Sequence, residues 1–302
     1  MKSKISFFLM ALFVLVLFSC MSSKYQSEFP ANLPNKAQVE NIDTVLVMGG
    51  GGAKAMAHAG VLSALKAHGV KIDMIVANSA ASLVAAVYAD NLDINYLKQT
   101  FMNTKRSDLI NDSTNSLVMR AMLFNSPAKM IQYEKFALKH IQSKNIEDLK
   151  MPLVIVVTNL SDNRRMELDV GPIVPAILAS SSIPGIFKPI KMYKKTLVDG
   201  GVISPVPVLS AKKFSPKKII AVNITAPPPE LSSNSTVDIM YHSYWMTYYE
   251  LSKVESSLAQ VVIHPNTKDF GVLTELSKKD KKRLYQIGYD STEKLIHKIK
   301  NH

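Results

Sequence analysis

Three short stretches of this chain hold residue types that do chemistry together. The first is Gly49-Gly50-Gly51-Gly52, followed by Ala53-Lys54-Ala55, directly after the apolar run Thr44 to Met48. Glycines let a backbone turn tightly and expose successive N–H groups. A helix opening at that point adds positive potential. Such a turn can hold a phosphate, or the oxyanion of an acyl-transfer intermediate. The second stretch is Ala77-Asn78-Ser79-Ala80-Ala81. A serine at a strand-to-helix turn, flanked by small residues, has the layout of a nucleophile elbow, although glycine is usual where this chain has Ala77 and Ala81. The third is Asp199-Gly200-Gly201, followed by Pro205 and Pro207. An aspartate at a strand end can accept the serine proton or orient the group that does.

Each stretch also has a plainer reading. The glycine run is an ordinary β–α turn in one of them, against which four adjacent glycines argue because of their entropic cost. In another it is a dinucleotide fingerprint, which needs an acidic residue near the end of the next strand. That strand ends in Ala77-Asn78-Ser79, with Asp73 at its beginning. The P-loop lysine spacing is absent as well. Taken alone, Asn78-Ser79-Ala80-Ala81 is more commonly a small-residue helix start, and Asp199 a turn cap. No histidine occupies an obvious triad position. His58 falls inside the first helix and His264 ends a strand before Pro265, and both are expected to be packing or surface residues.

The elements that position these residues follow from the hydrophobic pattern. Thr44 to Met48, Ile72 to Ala77, Leu153 to Val157, Leu197-Val198, Lys218 to Ile224 and Ala259 to Ile263 predict strands. Helices are predicted from Met56 to about His68, Ala81 to Ala89, Pro127 to Ile141, Pro172 to Leu178, Tyr241 to Leu258 and Lys278 to Ile299. This β–turn–α–β–turn–α order implies parallel strands with crossover helices.

The chain has 302 residues and a formal net charge of +12. Nucleic acid, an anionic membrane or an anionic substrate could answer such a charge. The lysines are scattered and no aromatic-interleaved basic motif occurs, so nucleic acid is not an expected partner. The single cysteine, Cys20, excludes an intrachain disulfide.

Taken together and in order, the motifs closely resemble the patatin-like phospholipase family, from about Asp43 to Gly288. The glycine turn with Ala57-His58-Ala59-Gly60-Val61-Leu62 is similar to its first block. Ile72 through Ala89 is similar to the block around the nucleophile, and Leu149 through Leu160 to its central strand. Ala179-Ser180-Ser181-Ser182-Ile183-Pro184-Gly185-Ile186-Phe187 and Val198-Asp199-Gly200-Gly201 with Pro205 are similar to its later blocks. The resemblance implies an α/β fold, a three-layer αβα arrangement with a mostly parallel central sheet, as a single domain over residues 42–302. It implies a Ser79–Asp199 dyad without histidine, cleaving a lipid acyl ester through an acyl-enzyme, as a phospholipase or lysophospholipase does. Gly50, Gly51 and Gly52 would supply oxyanion amides, with Lys54 where the family usually has arginine. No metal or cofactor is expected. The partner would be membrane phospholipid or another acyl-ester lipid, with residues 94–145 and 230–258 walling an acyl pocket or lid. Ala55, Ala77 and Ala81 replace family glycines, and the methyls at the elbow motivate an alternative: a silent protein of this fold that binds lipid or a protein partner.

At the N-terminus, Lys2 and Lys4 precede an apolar run from Ile5 to Phe18, and Leu17-Phe18-Ser19-Cys20 resembles a bacterial lipobox. Residues 1–19 are then a signal peptide and residues 20–41 a polar tether. Cys20 would carry the lipid, and Ser22 favours the outer membrane of a bacterial cell envelope.

Overall fold

The computed structural model describes residues 42–110, 127–228, 230–231, 233 and 235–301. The signal peptide, the tether and Cys20 lie outside the described residues. The strands are β1 (Thr44–Met48), β2 (Met74–Asn78), β3 (Leu153–Asn159), β4 (Arg164–Leu168), β5 (Ile190–Met192), β6 (Lys195–Asp199), β7 (Lys218–Val222) and β8 (Val261–Ile263). The described helices are α1 (Met56–Ala67), α2 (Ser79–Asn91), α3 (Ile94–Asn103), α4 (Ile131–His140), α5 (Ile173–Ser180), α6 (Val208–Lys212), α7 (Thr236–Ser256), α8 (Lys278–Glu293) and α9 (Ile296–Asn301).

All eight strands form one sheet. β8, β7, β1, β2 and β3 are parallel neighbours in that order. Strands buried on both faces read as continuous apolar runs, and β1 to β3 do so. Their side chains alternate between two layers of core. Leu46, Met48, Ile75, Ala77, Ile155 and Val157 pack with α1, α2 and α5 on one face. Val45, Val47, Met74, Val76, Val154 and Val156 pack with Val208 and Ala211 of α6 on the other. The protein is therefore a three-layer α/β fold around a mostly parallel sheet, as expected.

The antiparallel part is where the structure adds to the sequence reading. β2 lies along Leu153–Val156 of β3, and β6 along Val157–Asn159. β4 runs antiparallel along Ile155–Asn159 and so overlaps both partners. Because a strand has two edges, β4 must hold one and β2 and β6 together the other. β2 and β6 therefore point at each other along one edge of β3. Asn78 ends opposite Val156, and Asp199 ends opposite Val157. β5 pairs with the outer side of β6. Neither β4 nor β5 was expected, since Arg164, Arg165 and Glu167 interrupt any apolar period in the edge strand β4. The predicted C-terminal helix is two helices, α8 and α9.

Glycine sets how closely α8 approaches the first layer. A Cβ on Gly60 of α1 would lie 1.9 Å from the Tyr285 carbonyl oxygen, and one on Gly288 of α8 would lie 2.0 Å from that of Ala57. The two helices thus pack backbone on backbone. Gly288→Ala is expected to lower stability by about 1–3 kcal/mol through overpacking, read as a fall in the denaturant midpoint at constant slope. An unchanged midpoint would show that the crossing can open freely.

Candidate active site

β2 is buried along its whole length and delivers the chain straight into α2. The join is sharp: Asn78 is extended, and Ser79 has φ +50°. A non-glycine residue held in the left-handed region costs about 1–3 kcal/mol and persists only where its surroundings fix it. Here the Ser79 N–H donates to Ser180 Oγ at 2.8 Å, and Ser180 Oγ donates to the Val156 carbonyl at 2.7 Å. Ala77 and Ala81 are fully buried, so both elbow methyls are absorbed into the core while Ser79 keeps the strained turn.

The Ser79 hydroxyl donates to Asp199 Oδ2 at 2.7 Å, across 120 residues of sequence. Asp199 is 2% exposed, and its other oxygen accepts the Gly201 N–H at 2.7 Å. Burial pushes its carboxyl up from 3.8 to about 7, against the opposing pull of the Ser79 and Gly201 donors. No histidine contacts either residue among the described hydrogen bonds. His58 is fully buried and its Nε2 lies 2.8 Å from the Gly49 carbonyl. Burial lowers its pKa to about 4, so it is neutral at pH 7, and the carbonyl partner requires the proton on Nε2. It is a packed helix residue, as expected, and its bond pins the start of the glycine turn. His264 is exposed.

The turn itself is narrower in its chemistry than the sequence implied. Gly50 abuts the elbow: a Cβ there would lie 2.9 Å from Ser79 Cβ and 2.6 Å from Tyr248 Oη. Its N–H, however, donates to the Pro205 carbonyl at 3.0 Å and is not open to a substrate. The Ala53 N–H is likewise engaged, with the Val272 carbonyl at 2.8 Å. Gly51 and Gly52 between them have no N–H acceptor among the described residues, so theirs are the unengaged N–H groups of the turn. Lys54 is 5% exposed, and burial lowers its pKa to about 8. Its ammonium has no hydrogen-bond or ion-pair partner among the described residues, and the structure joins it to neither Ser79 nor Asp199.

Ser79 opens into a cleft enclosing about 960 Å³ of empty space, its mouth included. Leu83, Val84, Phe101, Met130, Ile183 and Phe187 make its wall apolar, and Gly52 also lines it. Lys105, Arg106 and Lys281 also line it, the Lys281 ammonium donating to the Thr104 carbonyl. The expected wall from residues 94–145 is present in Phe101, Met130 and Tyr133. None of the described residues among 230–258 lines the cleft. Instead Trp245 stacks edgewise on Tyr244 and tilts against Tyr248, with centroids 5.1 and 5.2 Å apart. Tyr248 is buried against Gly50 and Gly201. Sequence reasoning gave no role to Ser180, Asn78 or Glu255, which all support this site, and it placed Tyr248 in a pocket wall or lid rather than against the two glycine turns. Only Ser180 had a signal, its place in the small-residue run before Pro184.

Residues 46–212, more than half of the chain, match the family described as patatin-like phospholipase, and this span holds the glycine turn, Ser79 and Asp199. The chain belongs to the patatin-like phospholipase family. Among its curated relatives, the lysophospholipase NTE1 of Eremothecium gossypii is 31% identical over 180 residues, covering 59% of this chain and 12% of that protein. The human patatin-like phospholipase domain-containing protein 6 is 26% identical over 211 residues, covering 68% and 15%. The chain thus spans 12 to 15% of the length of these curated relatives. The crystal structure of VipD from Legionella pneumophila shares the fold, with a TM-score of 0.50 at 17% identity, covering 92% of this chain and 72% of that one.

In this patatin-like chain the buried Asp199 carboxyl works against stability. It ionises near 3.8 when free and near 7 when folded. Between those values the folded chain keeps a proton that the unfolded chain has lost, so stability falls as pH rises through that window. Asp199→Asn removes the buried charge. It is expected to melt above the wild type at about pH 8 and to lose most of that advantage by about pH 5. A melting difference independent of pH would contradict the raised value.

Proposed function

We propose that this patatin-like protein is a serine hydrolase of lipid acyl esters, of the phospholipase or lysophospholipase kind. The observation that carries the reading is the 2.7 Å bond from Ser79 Oγ to a buried aspartate, with Ser79 lining an apolar cleft. In this reading the acyl chain lies along Leu83, Phe101 and Phe187. The ester carbonyl sits between Ser79 and the open amides of Gly51 and Gly52. Asp199 takes the hydroxyl proton as Ser79 Oγ attacks. The two amides and the N-terminus of α2 stabilise the oxyanion. The proton passes from Asp199 to the leaving alcohol, and an acyl-enzyme remains on Ser79. Asp199 then takes a proton from water, which attacks the acyl carbonyl; the Ser79 ester bond breaks, Asp199 returns the proton to Ser79 Oγ, and the fatty acid is freed. Lys105, Arg106 and Lys281 in the cleft wall suit a substrate with an anionic head group.

The alternative of a catalytically silent protein was motivated by Ala77 and Ala81. Its motivation weakens with both methyls buried and the elbow still holding φ +50° at Ser79. Lipid anchoring through Cys20, in a bacterial envelope and in its outer membrane by preference, belongs to the same proposal. Among the described residues no helix is long and apolar enough to cross a membrane. Cys20→Ala is expected to abolish incorporation of labelled fatty acid into the expressed protein, and labelling that persists would refute the anchor.

Ser79→Ala is expected to lower kcat on short- and long-chain esters by at least about 10³-fold, with melting temperature little changed. A fluorophosphonate should label the wild type and spare the variant. Because the base must be ionised, kcat/KM is expected to fall on the acid side with an apparent pKa near 7. Equal turnover by wild type and Ser79→Ala would end the hydrolytic reading.

A further inference from the structure

Behind the dyad runs a short strap, Ser204 to Val206, that leaves the turn after Asp199; the Ser204 N–H donates to the Gly200 carbonyl at 3.0 Å. Its carbonyls face the site. The Asn78 side-chain amide, one residue before the nucleophile, donates to the Ser204 carbonyl at 2.5 Å and to that of Pro205 at 3.3 Å. The Pro205 carbonyl also accepts the Gly50 N–H at 3.0 Å. One strap thus holds both the residue that enters the elbow and the residue that enters the glycine turn.

The far side of the strap is held by a single carboxylate. Ser204 Oγ donates to Glu255 Oε1 at 2.5 Å, and the Val206 N–H donates to Glu255 Oε2 at 3.3 Å. Arg165 Nη1 stands 3.6 Å from the same carboxylate and shares itself with Glu167. Glu255 is 3% exposed, and Ser204 and Asn78 are fully buried. Burial raises the Glu255 carboxyl to about 7, against these donors. Glu255 sits on α7, outside the residues 46–212 that match the family.

We infer that Glu255 is a positioning residue of the hydrolytic site, fixing Ser79 and the oxyanion amides through the Ser204–Val206 strap. The inference rests on the hydrolytic reading above. Glu255 touches no substrate and no reacting atom in this account. It is two hydrogen bonds and a short length of strap backbone away from Asn78 and from Gly50. A buried acceptor with two specific donors loses one of them when it becomes an amide and both when it becomes a methyl. The strap carbonyls would then move, and a displacement of about 1 Å at reacting atoms costs about 10²-fold in rate.

The test compares full-length wild type, Glu255→Gln, Glu255→Ala and Ser204→Ala at about pH 8.5, where a carboxyl near 7 is ionised. kcat, KM for a short-chain aryl ester, fluorophosphonate labelling rate and melting temperature are measured for each. The expected result is a kcat loss of about ten- to a hundredfold, with KM nearly constant, labelling slowed in parallel, and Glu255→Gln retaining more activity than Glu255→Ala. Ser204→Ala removes the 2.5 Å bond without touching the carboxylate, and serves if Glu255→Ala does not fold. Glu250→Gln, on the exposed face of the same helix, should keep wild-type kcat. Folded variants with wild-type kcat and labelling rate, differing only in melting temperature, would overturn the inference by showing that Glu255 merely docks α7. Turnover that survives Ser79→Ala would instead remove the hydrolytic reading on which the inference stands.

Discussion

One edge of β3 is shared by two strands that run toward each other. β2 pairs with its first half and β6 with its second, and their ends face Val156 and Val157, adjacent residues of the same strand. The backbone ladder therefore brings the residue after Asn78 next to Asp199 before any side chain is considered. Strand hydrogen bonds are the most rigid coordinate system a fold offers, and here they fix a hydroxyl and a carboxyl that lie 120 residues apart. Ser180 tightens the same point, receiving the Ser79 N–H and donating to Val156 at the meeting place of the two strands. A wholly parallel sheet could not do this. The antiparallel return of β6 is what lets two carboxyl-terminal strand ends meet.

The price of that meeting is electrostatic. Asp199 sits where solvent cannot screen it, and its raised pKa expresses a charged form held against its surroundings. The strained backbone at Ser79 adds a second unfavourable term at the same place. Both are tolerated because the rest of the layer is well packed and because uncharged groups, the Ser180 hydroxyl and the Gly201 N–H, make the direct contacts. His58, neutral and fully enclosed, contributes a hydrogen bond to Gly49 and nothing to the field at Ser79. Backbone strain at Ser79 and a buried carboxyl at Asp199, joined by one hydrogen bond, are the mark of a site rather than of a structural joint.

What the sequence made legible was local. The glycine run, the small residues around Ser79 and the Asp199 turn are each confined to a few neighbours, and a strand or helix boundary can be read beside each. The strands β1, β2, β3 and β7 were readable because burial on both faces leaves continuous apolar runs. β4 was not, since Arg164, Arg165 and Glu167 leave no apolar period, Arg165 and Glu167 finding partners across the chain in Glu255 and Lys213. The engagement of the Gly50 N–H by Pro205 was hidden for a different reason: it depends on two segments more than 150 residues apart meeting at one carbonyl. Glu255 is a lone acid in a polar stretch, and only the buried strap beneath it gives it meaning.

α7 shows how an element outside the family match completes the site. Its buried positions Tyr248, Ser252, Glu255 and Ser256 recur at helical spacing and form one face. Ser252 and Ser256 receive the Asn223 amide, and Thr225 and Ser252 share a hydroxyl bond of 2.6 Å, which anchors the helix to the end of β7. Tyr248 fills the space that glycine leaves at positions 50 and 201, and Glu255 reaches the strap. The absence of side chains in the two turns is thus not emptiness. It is room into which a single helix fits an aromatic ring, so that closing the site and anchoring its strap are done by one rigid face. The outward side carries Ile239, Met240, Met246 and Val254, all exposed, and takes no part in that anchoring. The division lies within the helix: its buried stripe belongs to the layer that holds Ser79 and Asp199, and positional error there reaches Asn78 and Gly50 through no more than one intervening segment.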